Sequence, residues 1–252
     1  MLLLFLILGL IMGSFYMVVA MRGSVGESIV KPGSHCEYCN HYLKWYELIP
    51  VISYILFKGK CHNCHHKLSI WYPIIELICG VLFALGFYLY GISYELMAYL
   101  IIVSLLIIIF VSDFKYMIIL DLPLFMGIIL VIVLKFIYFE SIAGFKSIIS
   151  GLLIFAFMFV IKLIGDKTFK RESLGGGDIK LGAFMGCTLG IRLGLTSLVI
   201  GSFIALPYAT YYVLKKQNKE IPFGPFLILA VLICFIFMSP INHFINALFL
   251  ID

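Results

Sequence analysis

Apolar stretches long enough to cross a membrane recur along the whole chain. Of its 252 residues, 63% are hydrophobic and 12% are charged, and the mean hydropathy is +1.13. A helix needs about 20 apolar residues to cross a hydrocarbon core of roughly 30 Å. Because lipid offers no hydrogen bonds to the backbone, such segments are expected to be helical. The sequence therefore predicts an all-α polytopic membrane protein.

We predict about eight transmembrane helices from these stretches. They lie near residues 2–21, 72–90, 95–112, 118–137, 146–165, 179–192, 195–214 and 223–249. No basic residue precedes the first apolar run and Arg22 follows it, so we expect a retained signal-anchor-like helix rather than a cleaved signal peptide. The predicted domains are a first helix (1–22), a zinc-binding loop (23–70) and a membrane-embedded domain (71–252).

The basic residues indicate how these helices are oriented. With the first helix running from outside to inside, only Lys135, Lys146 and Arg192 fall outside. The cytoplasmic segments collect Arg22, Lys31, Lys44, Lys58, Lys60, Lys67, Lys115, Lys162, Lys167, Lys170, Arg171, Lys180, Lys215, Lys216 and Lys219. This asymmetry predicts a plasma (inner) membrane protein with external termini and a cytoplasmic zinc loop. It also explains the net charge of +5 without a nucleic-acid partner.

The one long polar segment, Met21 to Ile70, carries two C-x-x-C pairs. Cys36 with Cys39 and Cys61 with Cys64 supply four sulfurs, and the intervening chain is long enough for the second pair to fold back on the first. Two disulfides are the alternative, but a cytoplasmic location keeps thiols reduced. Four ligands close the site, so we predict a structural Zn²⁺. The nearby histidines that could replace a sulfur are His35, His41, His62, His65 and His66.

Small residues also follow a pattern within the apolar runs. Glycine occupies every fourth position in the row Gly182, Gly186, Gly190 and Gly194. Such a row lies on one helix face and favours close packing against another helix. The remaining cysteines, Cys79, Cys187 and Cys234, are interpreted as small core residues.

Two carboxylates at the ends of apolar runs are the strongest candidates for chemistry. Asp113 follows one run, and Asp178 follows the glycines Gly175, Gly176 and Gly177. A charge at membrane depth costs about 2.5 to 3.5 kcal/mol on insertion scales, so such residues are functional candidates. A pair that shares one proton can supply both an acid and a base for peptide hydrolysis. Alternatively, Asp113 is an interfacial charge that merely ends a helix.

Other acidic residues have simpler interpretations, with one exception. Asp121 is expected in the first turn of a helix, where its charge favours the positive helix end. Asp166 and Glu172 are interpreted as solvated loop charges. Glu76 lies inside an apolar run after Trp71-Tyr72-Pro73, so it needs a partner or a water-lined cavity.

These residues together resemble the bifunctional type IV prepilin peptidases, which combine a leader peptidase with an N-methyltransferase and belong to the G-x-G-D aspartyl proteases. Asp113 matches the first catalytic aspartate of that family, and Gly175 to Lys180 match its G-x-G-D motif with the second. Further similarity covers the first helix, both cysteine knuckles, the Tyr72-Pro73 and Glu76 segment, and Ile221 to Pro225.

The resemblance implies an activity that composition does not reveal. It implies removal of the short basic leader of type IV prepilins or pseudopilins after a glycine, at the cytoplasmic face. It also implies methylation of the new amino terminus from S-adenosylmethionine. Catalysis would fall to Asp113 and Asp178, with Gly175, Gly176, Gly177, Lys180 and Glu76 near the substrate.

Different function classes fit some of the same residues. Intramembrane carboxylates and a glycine-broken helix also occur in proton- or cation-coupled transporters. A G-x-G-D protease with another substrate class is a further alternative. A non-catalytic zinc-loop scaffold would tolerate loss of both aspartates.

Overall fold

The computed structural model describes residues 1–170, 172–215 and 221–249. Within these ranges the chain is helical, has no strand and has only two isolated bridges. The predicted all-α membrane architecture is confirmed. Arg171, Lys216 and Lys219, which contributed to the predicted charge asymmetry, lie outside the described residues.

Nine α-helices and one 3₁₀ turn make up the described chain. The 3₁₀ turn is Trp45–Leu48, and the helices are α1 (Leu2–Ser24), α2 (Ile52–Leu56), α3 (Trp71–Tyr90), α4 (Tyr94–Tyr116), α5 (Asp121–Tyr138), α6 (Ser141–Phe169), α7 (Gly176–Leu214), α8 (Gly224–Ile236) and α9 (Met238–Phe249). Among the described residues, six helices are long and apolar enough to cross a membrane, or seven if the bent pair α8 and α9 counts as one span. The predicted number of about eight is close to this.

The chain forms two compact units, Met1–Leu96 and Met97–Asp252. In the first unit, α1 packs against α3 through small residues. A Cβ on Gly9 would stand 2.7 Å from the Cα of Gly80, and a Cβ on Gly13 would stand 3.0 Å from the Cα of Glu76. The two backbones approach this closely because glycine has no side chain to separate them.

In the second unit, α4 and α8 carry many of the buried side chains. Tyr99, Ile102, Leu227 and Ile228 are completely buried. The remaining helices present large apolar side chains outward, as expected for helices that face lipid. The carboxyl end of α4 and the amino ends of α7 and α8 supply the residues of the candidate site.

Helix α7 is broken at Gly190, whose φ of 79° and ψ of 178° are not helical. An unbroken helix of 39 residues would be about 58 Å long, nearly twice the hydrocarbon thickness. Instead the chain turns back at Gly190. The evidence is the closeness of the residues on either side, since a Cβ on Gly194 would stand only 3.5 Å from the Cα of Gly186. Gly190 therefore separates two arms that correspond to the predicted sixth and seventh spans. The predicted boundary, residues 192 to 195, was placed slightly too late.

Two side chains satisfy the backbone carbonyls left free at this break. The Lys135 ammonium donates to the carbonyl oxygens of Cys187 at 2.6 Å and Thr188 at 3.1 Å, and the Ser147 hydroxyl donates to Cys187 at 2.6 Å. A cation at a helix carboxyl end is favourable because it meets the negative end of the helix dipole. Lys135 is thus a half-buried structural group as well as one of the few basic residues predicted outside.

The predicted eighth span, residues 223–249, is not one straight helix. Helices α8 and α9 meet at a bend of 87°. On α9, the side-chain oxygen of Asn246 accepts a hydrogen bond from Arg192 at 2.8 Å. The bend itself was not predicted, because a continuous apolar run carries no signal for it.

The predicted glycine row packs closely at three of its four positions. A Cβ on Gly186 would collide with the carbonyl oxygen of Ser150 and stand 2.7 Å from the Cα of Gly151 on α6. Gly182 faces the Met158 side chain and Gly194 faces Ile154. Gly190 differs, since it serves the break and has no atom within 4 Å of its Cβ position.

We expect Gly186→Ala to destabilise the protein by about 1–3 kcal/mol, because backbone atoms on α6 cannot move aside locally. Gly182→Ala is the matched control, since it meets the flexible Met158 thioether and gains the same helix propensity, about 1 kcal/mol. Unfolding in mixed detergent micelles measures both variants. Equal stability of the two would contradict the close backbone contact between α6 and α7.

Candidate active site and metal centre

Asp113 lies in the last turn of α4, at the end of its apolar stretch. Its residue surface is only 6% exposed. One carboxylate oxygen accepts a hydrogen bond from the backbone amide of Gly224, at 3.1 Å. Gly224 begins α8, so its amide is one of the free donors of a helix amino terminus. A buried carboxylate is thereby tied to a second helix.

Asp178 lies in the first turn of α7 and is 9% exposed. The backbone amide of Gly175, just before the helix, faces its carboxylate. The other carboxylate oxygen, Oδ1, is buried and has no hydrogen-bond partner within the described part of the chain. A buried polar atom without a partner is costly in a purely structural role. At this position it marks a group available to substrate or water.

The side chain of Ile119, on the short α4–α5 connection, lies between the amino ends of α7 and α8. A Cβ on Gly177 would stand 2.8 Å from the Cβ of Ile119, and a Cβ on Gly224 would stand 2.7 Å from its Cδ1. Gly177 directly precedes Asp178, and the Gly224 amide donates to Asp113, so each aspartate adjoins a glycine that contacts Ile119. The two aspartates are close enough for their charges to interact. The structure thus brings together Asp113 and Asp178, which are far apart in sequence.

The three glycines before Asp178 have different surroundings. Gly175 precedes α7, and its Cβ position is 3.1 Å from a carboxylate oxygen of Asp178. Gly176 has open space, whereas Gly177 contacts Ile119. Helix α7 already begins at Gly176. Only Gly175 lies outside the helix, because the Asp178 carboxylate at its first turn favours an early helix start.

Lys180 is paired rather than free. Its ammonium lies 2.6 and 2.7 Å from the two carboxylate oxygens of Asp121, the first residue of α5. Both side chains are substantially exposed, so the pair contributes only about 0–1 kcal/mol to stability. Its effect is to join the amino ends of α5 and α7. A role for Lys180 in substrate binding stays a prediction.

Asp166 and Glu172 are not merely solvated charges. Asp166 accepts hydrogen bonds from the backbone amide of Ser173 at 2.6 Å and from its hydroxyl at 2.8 Å. Glu172 pairs with Lys162 at 2.5 Å. These contacts hold the segment just before the glycines against the end of α6. The sequence carried no signal for them, because each is a contact across a loop.

Glu76 belongs to the first unit, and its partners lie there too. Its carboxylate accepts a hydrogen bond from the backbone amide of Val51 at 2.8 Å, and the Ser14 hydroxyl also donates to it. The residue is 8% exposed. Glu76 therefore has the partner that its position in an apolar run required, and this partner is the zinc-loop backbone. A role for Glu76 in substrate binding stays a prediction.

Gly224 and Ile119 were not among the predicted site residues. Gly224 supplies the amide donor to Asp113, and Ile119 contacts both Gly177 and Gly224. The motif around Pro222 and Pro225 was a signal for Gly224, since proline at a first helical turn marks a helix start with free amides. Nothing in the sequence singles out Ile119 from other isoleucines.

The four predicted cysteines converge on one centre in the first unit. All four sulfurs lie within 4.8 Å of one another. Cys36 and Cys64 are 3.9 Å apart, as are Cys39 and Cys61. A tetrahedral zinc ion with zinc–sulfur bonds of about 2.3 Å requires sulfur–sulfur distances of about 3.8 Å. The cluster therefore fits a zinc ion.

The two knuckles repeat the same backbone pattern. In the first, the Asn40 amide donates to the Cys36 carbonyl, and in the second the His65 amide donates to the Cys61 carbonyl, at 2.9 and 3.0 Å. Asn40 and His65 also share a positive φ, 54° and 55°. This tight turn presents both sulfurs of each pair to the same side. The pattern explains why C-x-x-C spacing recurs in the loop.

Three of the five histidines near the cluster, His41, His62 and His66, contact other side chains. The His66 ring stacks on Tyr38 with centroids 3.3 Å apart, and the His62 ring lies edge-on to Phe57. His41 lies 3.4 Å from the Glu47 carboxylate. These contacts leave the four cysteines as the ligand set.

Backbone amides directed at the sulfurs influence their protonation. The amide of His41 lowers the pKa of the Cys39 thiol to about 6. The amide of His66 acts in the same direction on Cys64, but burial and the neighbouring sulfurs outweigh it and raise its pKa to about 12. A bound zinc ion deprotonates its cysteine ligands outright, so both groups would bind as thiolates.

Comparison with known proteins agrees with both halves of this description. The profile of the bacterial peptidase A24 N-terminal domain matches residues 7–90, and that of the type IV leader peptidase family matches residues 100–210. The second match contains both aspartates. A Bacillus subtilis protein named prepilin leader peptidase/N-methyltransferase is 34% identical over 246 residues, covering 94% of this chain and 95% of its own length.

The chain belongs to the type IV leader peptidase family. Relatives of the same name include a Vibrio cholerae protein, 32% identical over 93% of this chain and 96% of its own length. A Neisseria gonorrhoeae protein is 32% identical over 88% of this chain and 85% of its own length. No solved structure matches the chain. The predicted resemblance is thereby confirmed, and the chain is a multi-pass membrane enzyme of a peptidase family.

Alanine substitutions at two neighbouring glycines of the G-x-G-D motif should have different effects on peptidase activity. We expect Gly177→Ala to lower peptidase activity at least about tenfold, because its Cβ would push Ile119 and the helix that carries Asp178. Gly176→Ala has free space and should stay within about threefold of the parent. Initial cleavage rates at equal folded concentration measure both, and equal losses would contradict the role of Ile119.

Replacing one zinc ligand should affect the loop and leave the membrane helices in place. We expect Cys36→Ser to lose bound metal, because three thiolates no longer close the tetrahedron. Loss of the metal removes folding energy from a short loop with little core of its own. Elemental analysis and limited proteolysis of the loop measure this. Buried Cys79→Ser is the control, and metal retained by Cys36→Ser would contradict the four-sulfur site.

Proposed function

We propose that this enzyme removes the leader peptide of type IV prepilins or pseudopilins by aspartyl hydrolysis at Asp113 and Asp178. The observation that carries the proposal is that two buried carboxylates interact electrostatically, and that one oxygen of Asp178 has no hydrogen-bond partner among the described residues. The names of the similar proteins supply the substrate class. The family's peptidase activity agrees with this chemistry.

The proposed reaction needs one proton shared by two aspartates. Carboxylates a few ångströms apart resist double ionisation, so one stays protonated while the other is charged. The charged carboxylate takes a proton from water, whose oxygen attacks the carbonyl carbon of the scissile peptide. The protonated carboxylic acid donates its proton to the carbonyl oxygen. When this tetrahedral intermediate collapses and the carbon–nitrogen bond breaks, the carboxyl that took the proton from water passes it to the leaving amine. The other carboxylate regains a proton from a hydroxyl of the intermediate, which becomes the new carboxyl product.

The helix ends around the pair support this chemistry. Asp113 lies in the last turn of α4, and Asp178 in the first turn of α7. Their positions at helix ends place them near the membrane surface, where water is available. The Gly224 amide orients Asp113, as a fixed donor orients a catalytic group. We place this surface on the cytoplasmic side, on the basis of the positive-inside asymmetry.

We further propose that zinc holds the loop of the first unit and that the enzyme methylates the new amino terminus. Cys36, Cys39, Cys61 and Cys64 would hold the ion, which stabilises the loop fold and has no open position for substrate. S-adenosylmethionine would supply the methyl group, as the names of the relatives imply. Its binding residues are not assigned.

Substitution of either aspartate tests the peptidase proposal directly. We expect Asp113→Asn and Asp178→Asn to lower cleavage of a prepilin at least about 1,000-fold, because an amide cannot exchange the proton. Glu140→Gln, an exposed carboxylate before α6, is the control. Mass spectrometry with purified enzyme, with and without S-adenosylmethionine, reads the cut site and the added methyl together.

Several outcomes would count against the proposal. Normal cleavage by either asparagine variant would exclude that aspartate from catalysis. Ion flux in proteoliposomes without any cleavage by the parent enzyme would favour the transporter alternative. Cleavage within a membrane helix and none at the leader would indicate another substrate class.

A further inference from the structure

The segment between the two zinc knuckles exposes apolar side chains and turns its polar groups inward. Its 3₁₀ turn and α2 together span Trp45–Leu56, which we call the wedge. The most exposed side chains of the wedge are apolar: Trp45 is 77% exposed, Ile55 67% and Leu56 68%. Leu48 and Ile52 are exposed as well. This pattern is the reverse of a water-facing surface and suits lipid.

The polar groups of the wedge turn inward. The Glu47 side chain is 4% exposed and faces His41. The Tyr54 hydroxyl donates to the carbonyl oxygen of Leu68 at 3.3 Å. Exposed charges appear only at the two ends, on Lys44 and on Lys58 and Lys60. Lysines that flank an apolar surface are placed to reach lipid phosphates.

A hydrogen bond to a membrane helix sets the depth of the wedge. The Val51 amide donates to the Glu76 carboxylate on α3 at 2.8 Å, and Ser14 on α1 also donates to this carboxylate. Glu76 is the sixth residue of α3, so it lies about 8 Å along the helix axis from Trp71, where α3 begins. The wedge therefore reaches about 8 Å into the membrane from the end of α3, a depth typical of interfacial helices.

The backbone of the wedge is suited to this depth. Val51 has a φ of 61° and a ψ of −49°, and the Ile52 amide donates to the Pro50 carbonyl across it at 2.6 Å. This γ-turn is strained, and more so for a β-branched residue. The acceptor on Glu76 stabilises it. The following amides are also satisfied, as lipid requires, at Ser53, Ile55, Phe57, Lys58, Gly59 and Lys60.

We propose that the wedge inserts into the lipid of the leaflet from which the zinc loop emerges and anchors the loop there. Its occupant is a lipid surface, with Glu76 fixing the Val51 turn at that depth. The wedge would then hold the zinc knuckles at the membrane boundary, in addition to the chain connections of the loop to α1 and α3. This inference rests on the membrane helices and does not depend on the peptidase reaction.

The chain offers a natural probe, since Trp45 and Trp71 are its two tryptophans. In Trp71→Phe, Trp45 is the sole tryptophan. The full-length protein is reconstituted in phosphatidylcholine–phosphatidylglycerol vesicles whose acyl chains carry bromine near the carbonyl end. We expect the bromines to quench Trp45 fluorescence about twofold, and aqueous acrylamide to have little effect. Quenching by acrylamide and not by bromine would overturn the proposal.

A matched control separates the wedge from the rest of the loop. Tyr42, on the first knuckle, is 63% exposed, so Tyr42→Trp in the Trp45→Phe and Trp71→Phe background probes a similarly exposed site. We expect this tryptophan to be quenched by acrylamide. Equal bromine quenching at both positions would overturn the assignment to the wedge.

Variants at Glu76 test whether it sets the depth. Glu76→Leu removes the acceptor for the Val51 amide, so Trp45 should become accessible to acrylamide while bound zinc is retained. Glu76→Gln keeps an acceptor oxygen and should behave more like the parent. Quenching unchanged in Glu76→Leu would overturn the role of Glu76. Bromine quenching that appears only with added prepilin, or only at high protein-to-lipid ratio, would identify a substrate or a second copy as the occupant and overturn the lipid proposal.

Discussion

Polar groups buried away from water must find partners within the protein, and this constraint organises the structure. The Gly224 amide meets Asp113, the Lys135 ammonium meets the carbonyls of α7, and the Val51 amide meets Glu76. In water these groups would be solvated at little cost. Away from water an unpaired group costs several kcal/mol, so each contact determines where two elements meet. Helix ends and breaks lie where such partners exist.

The candidate active site follows from the same constraint. Two helix amino ends, those of α7 and α8, face the carboxyl end of α4, and free amides at these ends suit carboxylates. Because Gly177 and Gly224 have no side chains, Ile119 fits between the amino ends of α7 and α8. Within the described residues, the Asp178 carboxylate keeps one buried oxygen without a hydrogen-bond partner, as do the hydroxyls of Ser24 and Thr188. Of these three groups only Asp178 is acidic, and buried acidic groups concentrate where chemistry occurs.

Prediction from sequence succeeded where a signal is local. The apolar runs identified the membrane helices, and the C-x-x-C spacing identified all four sulfurs of the cluster. It was weaker for contacts across loops. The pairing of Lys180 with Asp121, the hydrogen bonds of Asp166 to Ser173, and the position of Ile119 depend on residues that are distant in the chain. The bend between α8 and α9 was missed because both sides of it are equally apolar.

The sequence alone determined the class of protein, the four-cysteine cluster and the two aspartates as candidate residues, because hydropathy, cysteine spacing and charge in an apolar run are properties of short segments. Only the tertiary structure decided that α7 turns back at Gly190, that Gly224 donates to Asp113, and that Glu76 holds the Val51 turn. These features depend on which helices approach one another. Helix packing in a membrane depends on small residues and matched polar partners. Many pairs of helices in one chain could offer these, so only the folded structure shows which pairs form.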